Sequence, residues 1–204
     1  APMLHWPDSM FTYVRGMNVL LSNDAFGQHF VSSKFFADEV DQCLLWQEAI
    51  KYYANILTPF SKMVRAKIEQ IKKMNVPLDM ICTSHGLIWR ENPLQIVEKY
   101  YEWAGDYKEN QVAVIYDTMW NETKAMAEAL GRGIAKAGLT AKVINVSKIE
   151  VTHVITEIFR SAGVLAGSPT INNGISHAMA AVMEGVRHLK FQGKKGAGFG
   201  SYGW

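Results

Sequence analysis

The chain has 204 residues, 49% of them apolar and 20% charged, and a formal net charge of +2. That length holds one large or two small domains, and that composition belongs to a globular protein. No apolar run is long enough to span a bilayer, no charged start followed by an apolar core marks a signal peptide, and so small a charge argues against nucleic acid as a partner.

Only two cysteines occur, Cys43 and Cys82, far apart and outside any Cys-x-x-Cys. A reducing compartment, the cytoplasm, is therefore expected, and an iron–sulfur or zinc-thiolate site is not. Residues 111–204 carry 10 Lys and Arg against 6 Asp and Glu, a mildly basic balance that suits an anionic cofactor without demanding one. The chain begins Ala-Pro-Met-Leu-His inside what reads as a structured segment, and it stops at Ser201-Tyr-Gly-Trp204 just after a glycine-rich strand end. An internal piece of a longer protein is the expectation.

Residues 9–22 read as two short strands joined by a turn at Gly16 or Asn18. Ser22-Asn-Asp24-Ala-Phe-Gly27 then forms a polar loop. From about Asp38 to Met74 the pattern is helical, with Val40, Leu44, Leu45, Ala49, Tyr52, Tyr53 and Ile56 spaced by threes and fours. Thr58-Pro59 breaks it, Thr58 as a cap and Pro59 at a first helical position, and the next helix turns Met63, Ile68 and Ile71 inward. Residues 76–83 form a strand that delivers Ser84-His85-Gly86 into a loop, and residues 94–104 form another helix. Trp46 and Trp103 lie on helical faces and are expected in the core. Gly105 to Asn110 is a polar linker, dividing the chain into domains at 1–106 and 107–204.

After the linker the order is regular: strand 112–116, helix 122–137, strand 141–146, helix 151–161, strand 163–167, helix 175–189 and strand 195–200. Alternating strands and helices imply an α/β fold with a doubly wound parallel sheet. Val112-Ala-Val-Ile-Tyr116 is apolar on both faces, as a central parallel strand should be. Three polar segments fall at strand ends: 117–123, 168–174 and 200–204. In such sheets ligands bind beyond the carboxyl ends of the strands, where the strand order reverses. Thr118, Asn121 and Thr123 offer neutral donors where strand turns into helix, a geometry that aims N–H groups at an anion. The turn has neither glycine nor lysine and so is not a Walker loop. Taken alone, it reads equally well as an ordinary helix cap.

Together these segments resemble the flavodiiron proteins (A-type flavoproteins, rubredoxin:oxygen oxidoreductases). The resemblance runs through Leu4-His-Trp-Pro-Asp-Ser-Met10, Ser22-Asn-Asp-Ala-Phe-Gly-Gln-His29, Ser84-His-Gly86, Asp117-Thr-Met-Trp120, Gly167-Ser-Pro-Thr-Ile-Asn-Asn-Gly174 and Phe199-Gly-Ser-Tyr-Gly-Trp204, in order along nearly the whole chain. It implies the second half of a metallo-β-lactamase-like αββα domain followed by a truncated flavodoxin-like domain. It further implies phosphate binding by Thr118, Met119, Trp120, Asn121 and Thr123. Flavin-ring contacts fall to Ser168, Pro169, Thr170, Asn172, Asn173 and Gly174, with Ser201, Tyr202, Gly203 and Trp204 on the other side. Trp and Tyr suit flavin faces, and backbone amides suit its polar edge. Glu122 sets a carboxylate beside the expected phosphate, a mildly unfavourable neighbour.

His5, Asp24 and His85 match three iron ligands of that family and, by the same resemblance, are the catalytic residues. Two imidazoles and a carboxylate suit iron, although each alone reads more simply as a packing or turn residue. The family's other ligands come from a His-x-Glu-x-Asp-type motif, and nothing like it occurs here. His29 is expected to pack near the metal pocket, and His153, His177 and His188 on helix surfaces. The activity implied is an oxidoreductase that takes electrons from a rubredoxin-like or flavin-reductase donor through FMN to two non-haem irons, reducing dioxygen to water or nitric oxide to nitrous oxide. A head-to-tail homodimer is implied as well, and the 204 residues by themselves are expected to be a poor catalyst. Two other readings compete: an FMN-only electron carrier whose first half is scaffold, and a metallo-hydrolase fused to a flavodoxin domain.

Overall fold

The structure, a computed structural model, describes residues 2–203. The chain divides into two compact units, one up to Asp106 and one from Tyr107. Among the described residues no helix is long and apolar enough to cross a membrane.

In the first unit, strands β1 (Thr12–Val14), β2 (Val19–Asn23) and β3 (Met80–Thr83) form one sheet, with β1 antiparallel and β3 parallel to β2. Helices α1 (Gln42–Tyr52), α2 (Ser61–Met74) and α3 (Leu94–Trp103) complete it. Asp41 caps α1 by accepting the Leu44 N–H at 2.9 Å. The core is unusually aromatic: Phe26, Tyr53, Trp89, Tyr100 and Trp103 are all buried. Tyr53 meets Tyr100 edge-on at 5.1 Å, and the Trp89 indole N–H finds the Phe26 carbonyl at 2.9 Å.

The helical stretch departs from the periodic reading in phase. A π-helical turn, Tyr53–Leu57, and a 3₁₀ turn, Thr58–Phe60, separate α1 from α2. Thr58 does not cap α2; its hydroxyl donates back to the Ala54 carbonyl at 2.7 Å. The π turn inserts an extra residue into the helical repeat, so α2 buries Val64 and Ile68 while Met63 is 38% exposed. Leu44 is 53% exposed and lies off the core face of α1, whose buried side is Leu45, Ala49 and Tyr52. Trp103 is buried as expected, whereas Trp46 is half-buried against Trp89 at 5.3 Å.

The second unit is a four-stranded sheet of β4 (Glu109–Tyr116), β5 (Thr140–Asn145), β6 (Ser161–Gly167) and β7 (Lys195–Phe199), in spatial order β5-β4-β6-β7 with every pairing parallel. Helix α4 (Glu122–Lys136) covers Val114 and Tyr116 on one face. Helices α5 (Val151–Arg160) and α6 (His177–Arg187) cover Ala113 and Ile115 on the other. Covered on both faces, β4 is apolar from Val112 to Tyr116, and Ala113, Val114 and Ile115 are fully buried. His153, His177 and His188 are exposed on these helices.

At the opposite end of the sheet from the polar turns, Arg160 grips Glu109 with both carboxylate oxygens, at 2.6 and 2.9 Å, and the Tyr107 hydroxyl adds a bond at 2.7 Å. Burial pushes the Glu109 carboxyl up, but the bonds from Arg160 and Tyr107 outweigh it and hold the group below the ordinary glutamate value. A depressed folded-state value contributes stability above the unfolded value, and that contribution is lost as pH falls through the folded one. Glu109→Gln is therefore expected to cost about 1 kcal/mol at pH 7. In urea titrations the gap to the unsubstituted chain should narrow as pH falls below the ordinary glutamate value. A gap that widens as the solution is acidified would rule this out.

Candidate functional site

Strands β4, β6 and β7 end side by side, and each carboxyl end opens into one polar turn. The strand order reverses between β4 and β6, so the turns 117–123 and 168–174 flank the switch point. They are joined through β7: the Ser168 N–H donates to the Phe199 carbonyl at 3.2 Å, and the Thr170 N–H to the Ser201 carbonyl at 3.0 Å. Thr123 and Ser201 share a hydroxyl–hydroxyl bond at 3.1 Å. One continuous rim thus gathers Thr118, Thr123, Thr170 and Ser201.

The backbone of the rim is shaped for donors. Asn121 just ahead of α4 is left-handed, φ 71°, and its side chain does not cap the helix, which leaves the first-turn N–H groups of α4 facing outward. Asn172 and Asn173 are also left-handed, at φ 49° and 62°. Asparagine is the non-glycine residue that tolerates this region best. Trp120 and Tyr202 stand 80% and 96% exposed, large apolar rings held out at the rim. Met119 is half-buried and Pro169 is buried. Trp204 lies outside the described residues.

The deciding atom is Thr118 Oγ1, which is buried and has no hydrogen-bond partner. Such a group costs about 1–3 kcal/mol unless something supplies its bond. A phosphate oxygen in the turn would do so.

Periodicity overlooked the groups that hold this turn in shape. Asp117 Oδ1 accepts the Thr118 N–H at 2.9 Å and the Ser147 hydroxyl at 2.7 Å. Burial pushes the Asp117 carboxyl up, but bonds from Ser147, Ser176 and the Thr118 amide hold it below the ordinary aspartate value, so it is ionised. Ser176 in turn caps α6 by accepting the Met179 N–H at 3.3 Å. An acid at a strand end, followed by a Thr, was the available signal. Its serine partners lie 30 and more residues away and were not legible.

In the first unit, His5, Asp24 and His85 are brought together. His5 Nε2 lies 3.4 Å from Asp24 Oδ2, and His85 Nε2 lies 3.2 Å from Asp24 Oδ1. The Ser84 hydroxyl also donates to Asp24 Oδ1, at 2.8 Å. His29 packs beside them, edge-on to Tyr52 at 4.9 Å and to His85 at 5.9 Å. The Tyr52 hydroxyl donates to the Asp24 carbonyl at 3.2 Å, and burial together with the Asp24 charge pushes it above the ordinary tyrosine value. Beneath the cluster is an apolar cavity of about 30 Å³ lined by Phe11, Phe26, Leu57, Ile68 and Tyr100, with His5 and Asp24 on its wall.

Buried Gln28 fastens the loops that carry Asp24 and His85. Its Oε1 accepts the Leu87 N–H at 2.7 Å, and its Nε2 donates to the Leu87 carbonyl at 3.2 Å. The donor types of the cluster suit iron, but the two imidazoles point at opposite oxygens of one carboxylate rather than at a common centre. Among the described residues no group of three or more His, Cys, Asp or Glu is arranged to hold a metal. These residues do not by themselves fit a two-iron centre.

A family model described as flavodoxin matches residues 114–204. An anaerobic nitric oxide reductase flavorubredoxin of Vibrio vulnificus is 50% identical across all of this chain, and one of Escherichia coli O1:K1 likewise. The rubredoxin oxygen:oxidoreductase of Desulfovibrio gigas superposes with a TM-score of 0.95 at 36% identity, covering 99% of this chain and 51% of that one. The flavodiiron protein of Giardia intestinalis superposes at 0.94 with 35% identity, covering all of this chain and 50% of that one. Over its whole length the chain is similar to flavodiiron proteins. It spans 42% and 43% of the length of the two curated flavorubredoxins, so it corresponds to a part of such a protein.

The unit from Tyr107 is flavodoxin-like, with the parallel sheet expected from its alternating strands and helices. Domains of this type bind FMN. Buried Thr118 Oγ1, the uncapped start of α4 and the exposed rings of Trp120 and Tyr202 fit a phosphate-bearing flavin.

Proposed function

We propose that this chain is the flavin-bearing part of a flavodiiron oxidoreductase that reduces nitric oxide, dioxygen or both, drawing on a small rubredoxin-like or flavin-reductase donor. The whole-length likeness to proteins described as nitric oxide reductases and as a rubredoxin oxygen:oxidoreductase supports this reading. In it, the unit up to Asp106 is the C-terminal part of a metallo-β-lactamase-like domain. His5, Asp24 and His85 contribute to an iron centre that these residues do not complete, and the working protein is a head-to-tail homodimer.

The single observation that carries the flavin assignment is the buried, unpartnered Thr118 hydroxyl at the strand–helix turn. Thr118, Asn121, Thr123 and the first-turn amides of α4 hold the phosphate. Met119 and Pro169 pack beneath the rim. Trp120 and Tyr202 shield the ring faces from water, while Ser168, Thr170, Asn172, Asn173, Gly174, Ser201 and Gly203 present polar groups to the ring edge. Bound FMN supplies the means of accepting electrons from a donor and releasing them singly or in pairs. Trp204 belongs to the same proposed set.

Titrating the chain with FMN and following the quenching of flavin fluorescence tests the assignment, with saturation expected at one FMN per chain. Thr118→Val keeps the shape and removes the hydroxyl. It is expected to weaken FMN about tenfold or more while leaving riboflavin unchanged, because a bond to a charged phosphate is worth roughly 1.5–3 kcal/mol. The ligand-free variant should gain about 1 kcal/mol in urea, since an unpaired buried group has been removed. A properly folded chain that binds no flavin would overturn the assignment. Iron analysis of the same preparation separates this reading from that of an FMN-only carrier.

A further inference from the structure

We propose that Glu122 limits the strength of FMN binding by opposing the phosphate, so that this site holds its cofactor less tightly than its donors alone would allow. The inference rests on the flavin assignment above and concerns what tunes it. Glu122 is the first residue of α4, is exposed, and has neither ion pair nor hydrogen bond among the described residues. The nearest cation along the chain, Lys124, turns to Glu128 at 3.8 Å. Between residues 117 and 123 there is no Lys or Arg, and ionised Asp117 supplies a second negative charge at the other end of the turn.

Two effects act in the same direction. Without ligand, the uncapped positive end of α4 is complemented by the Glu122 carboxylate, a favourable interaction that an arriving phosphate competes away. With ligand, the carboxylate and the phosphate repel across a few ångströms of largely aqueous surroundings. Both raise the free energy of the complex relative to the free chain, and neither touches the flavin ring. The consequence is selective: Glu122 weakens FMN and is indifferent to riboflavin, which lacks the phosphate.

Fluorescence titrations of the full chain with FMN and with riboflavin, at about 20 mM and about 500 mM sodium chloride, test this. At low salt Glu122→Gln is expected to bind FMN roughly three- to tenfold more tightly than the unsubstituted chain, with riboflavin unchanged. The advantage should shrink to under about twofold at high salt, where the Debye length is only a few ångströms. Glu122→Asp, which keeps the charge, should stay near the unsubstituted value. An unchanged or weaker FMN affinity in Glu122→Gln would overturn the proposal, as would an equal gain for riboflavin, which would signal a reshaped turn instead. Failure of the unsubstituted chain to bind either flavin would refute the flavin assignment itself and this inference with it.

Discussion

Alanine at Gly86 is expected to destabilise the unit up to Asp106 by about 4 kcal/mol, a sum of backbone strain and overpacking. Gly86 is left-handed at φ 78°, and a Cβ there would sit 1.9 Å from Gln28 Oε1 and 2.4 Å from the Gln28 carbonyl oxygen. The second contact is with backbone and cannot be relieved by a rotamer change. Gln28 cannot retreat either, because it is fully buried and its amide already joins the loop at Phe26 to Leu87. Urea unfolding followed by tryptophan emission reads this unit preferentially, since Trp6, Trp46, Trp89 and Trp103 lie in it. Gly16→Ala is the control: Gly16 has a similar φ of 81° but nothing within 4 Å of a built Cβ, so only about 1 kcal/mol is expected. Equal losses at the two positions would refute the steric account. The same substitution should loosen His85 relative to Asp24, because Gln28 ties their loops together.

Gly200→Ala is expected to weaken FMN about a hundredfold, the scale on which a misplacement of an ångström acts in a preorganised site. A Cβ at Gly200 would lie 2.0 Å from the Ser168 carbonyl oxygen, so the end of β7 must move away from the turn after β6. That movement breaks the bonds joining the two, Ser168 N–H to Phe199 and Thr170 N–H to Ser201, and with them the Thr123–Ser201 hydroxyl pair that reaches α4. Three turns proposed to face one flavin would no longer share one rim. Gly196→Ala, two turns of the pleat earlier, meets nothing nearer than 3.9 Å and should leave affinity within twofold. Retained FMN affinity in Gly200→Ala would remove the rim from the account of binding.

Much of the second unit was legible because its signals are local. A strand buried on both faces must be apolar throughout, and Val112 to Tyr116 is; helices between such strands force parallel pairing. The polar turns at 117–123, 168–174 and 200–203 then had to fall at the same sheet edge, since every strand of a parallel sheet points the same way. The first strand is longer than its apolar run: β4 begins at Glu109, where the paired Arg160 admits a charged residue that an apolar run would exclude.

The sequence by itself determined the alternation of elements, the parallel sheet and the chemical types gathered at strand ends, because propensity and periodicity act over neighbouring residues. Tertiary structure alone decided which groups are left without partners. Thr118 is unremarkable in the chain and orphaned in the fold, while Asp117 acquires its role only when Ser147 and Ser176 arrive from distant turns. The phase of α2 likewise depended on a π turn whose extra residue no repeat of apolar positions announces. His5, Asp24 and His85 stood far apart as letters, and the fold brought them within hydrogen-bonding range. It also turned both imidazoles onto one carboxylate, an arrangement in which Gln28 and Tyr52 hold the loops of His85 and Asp24 and which spacing along the chain does not set.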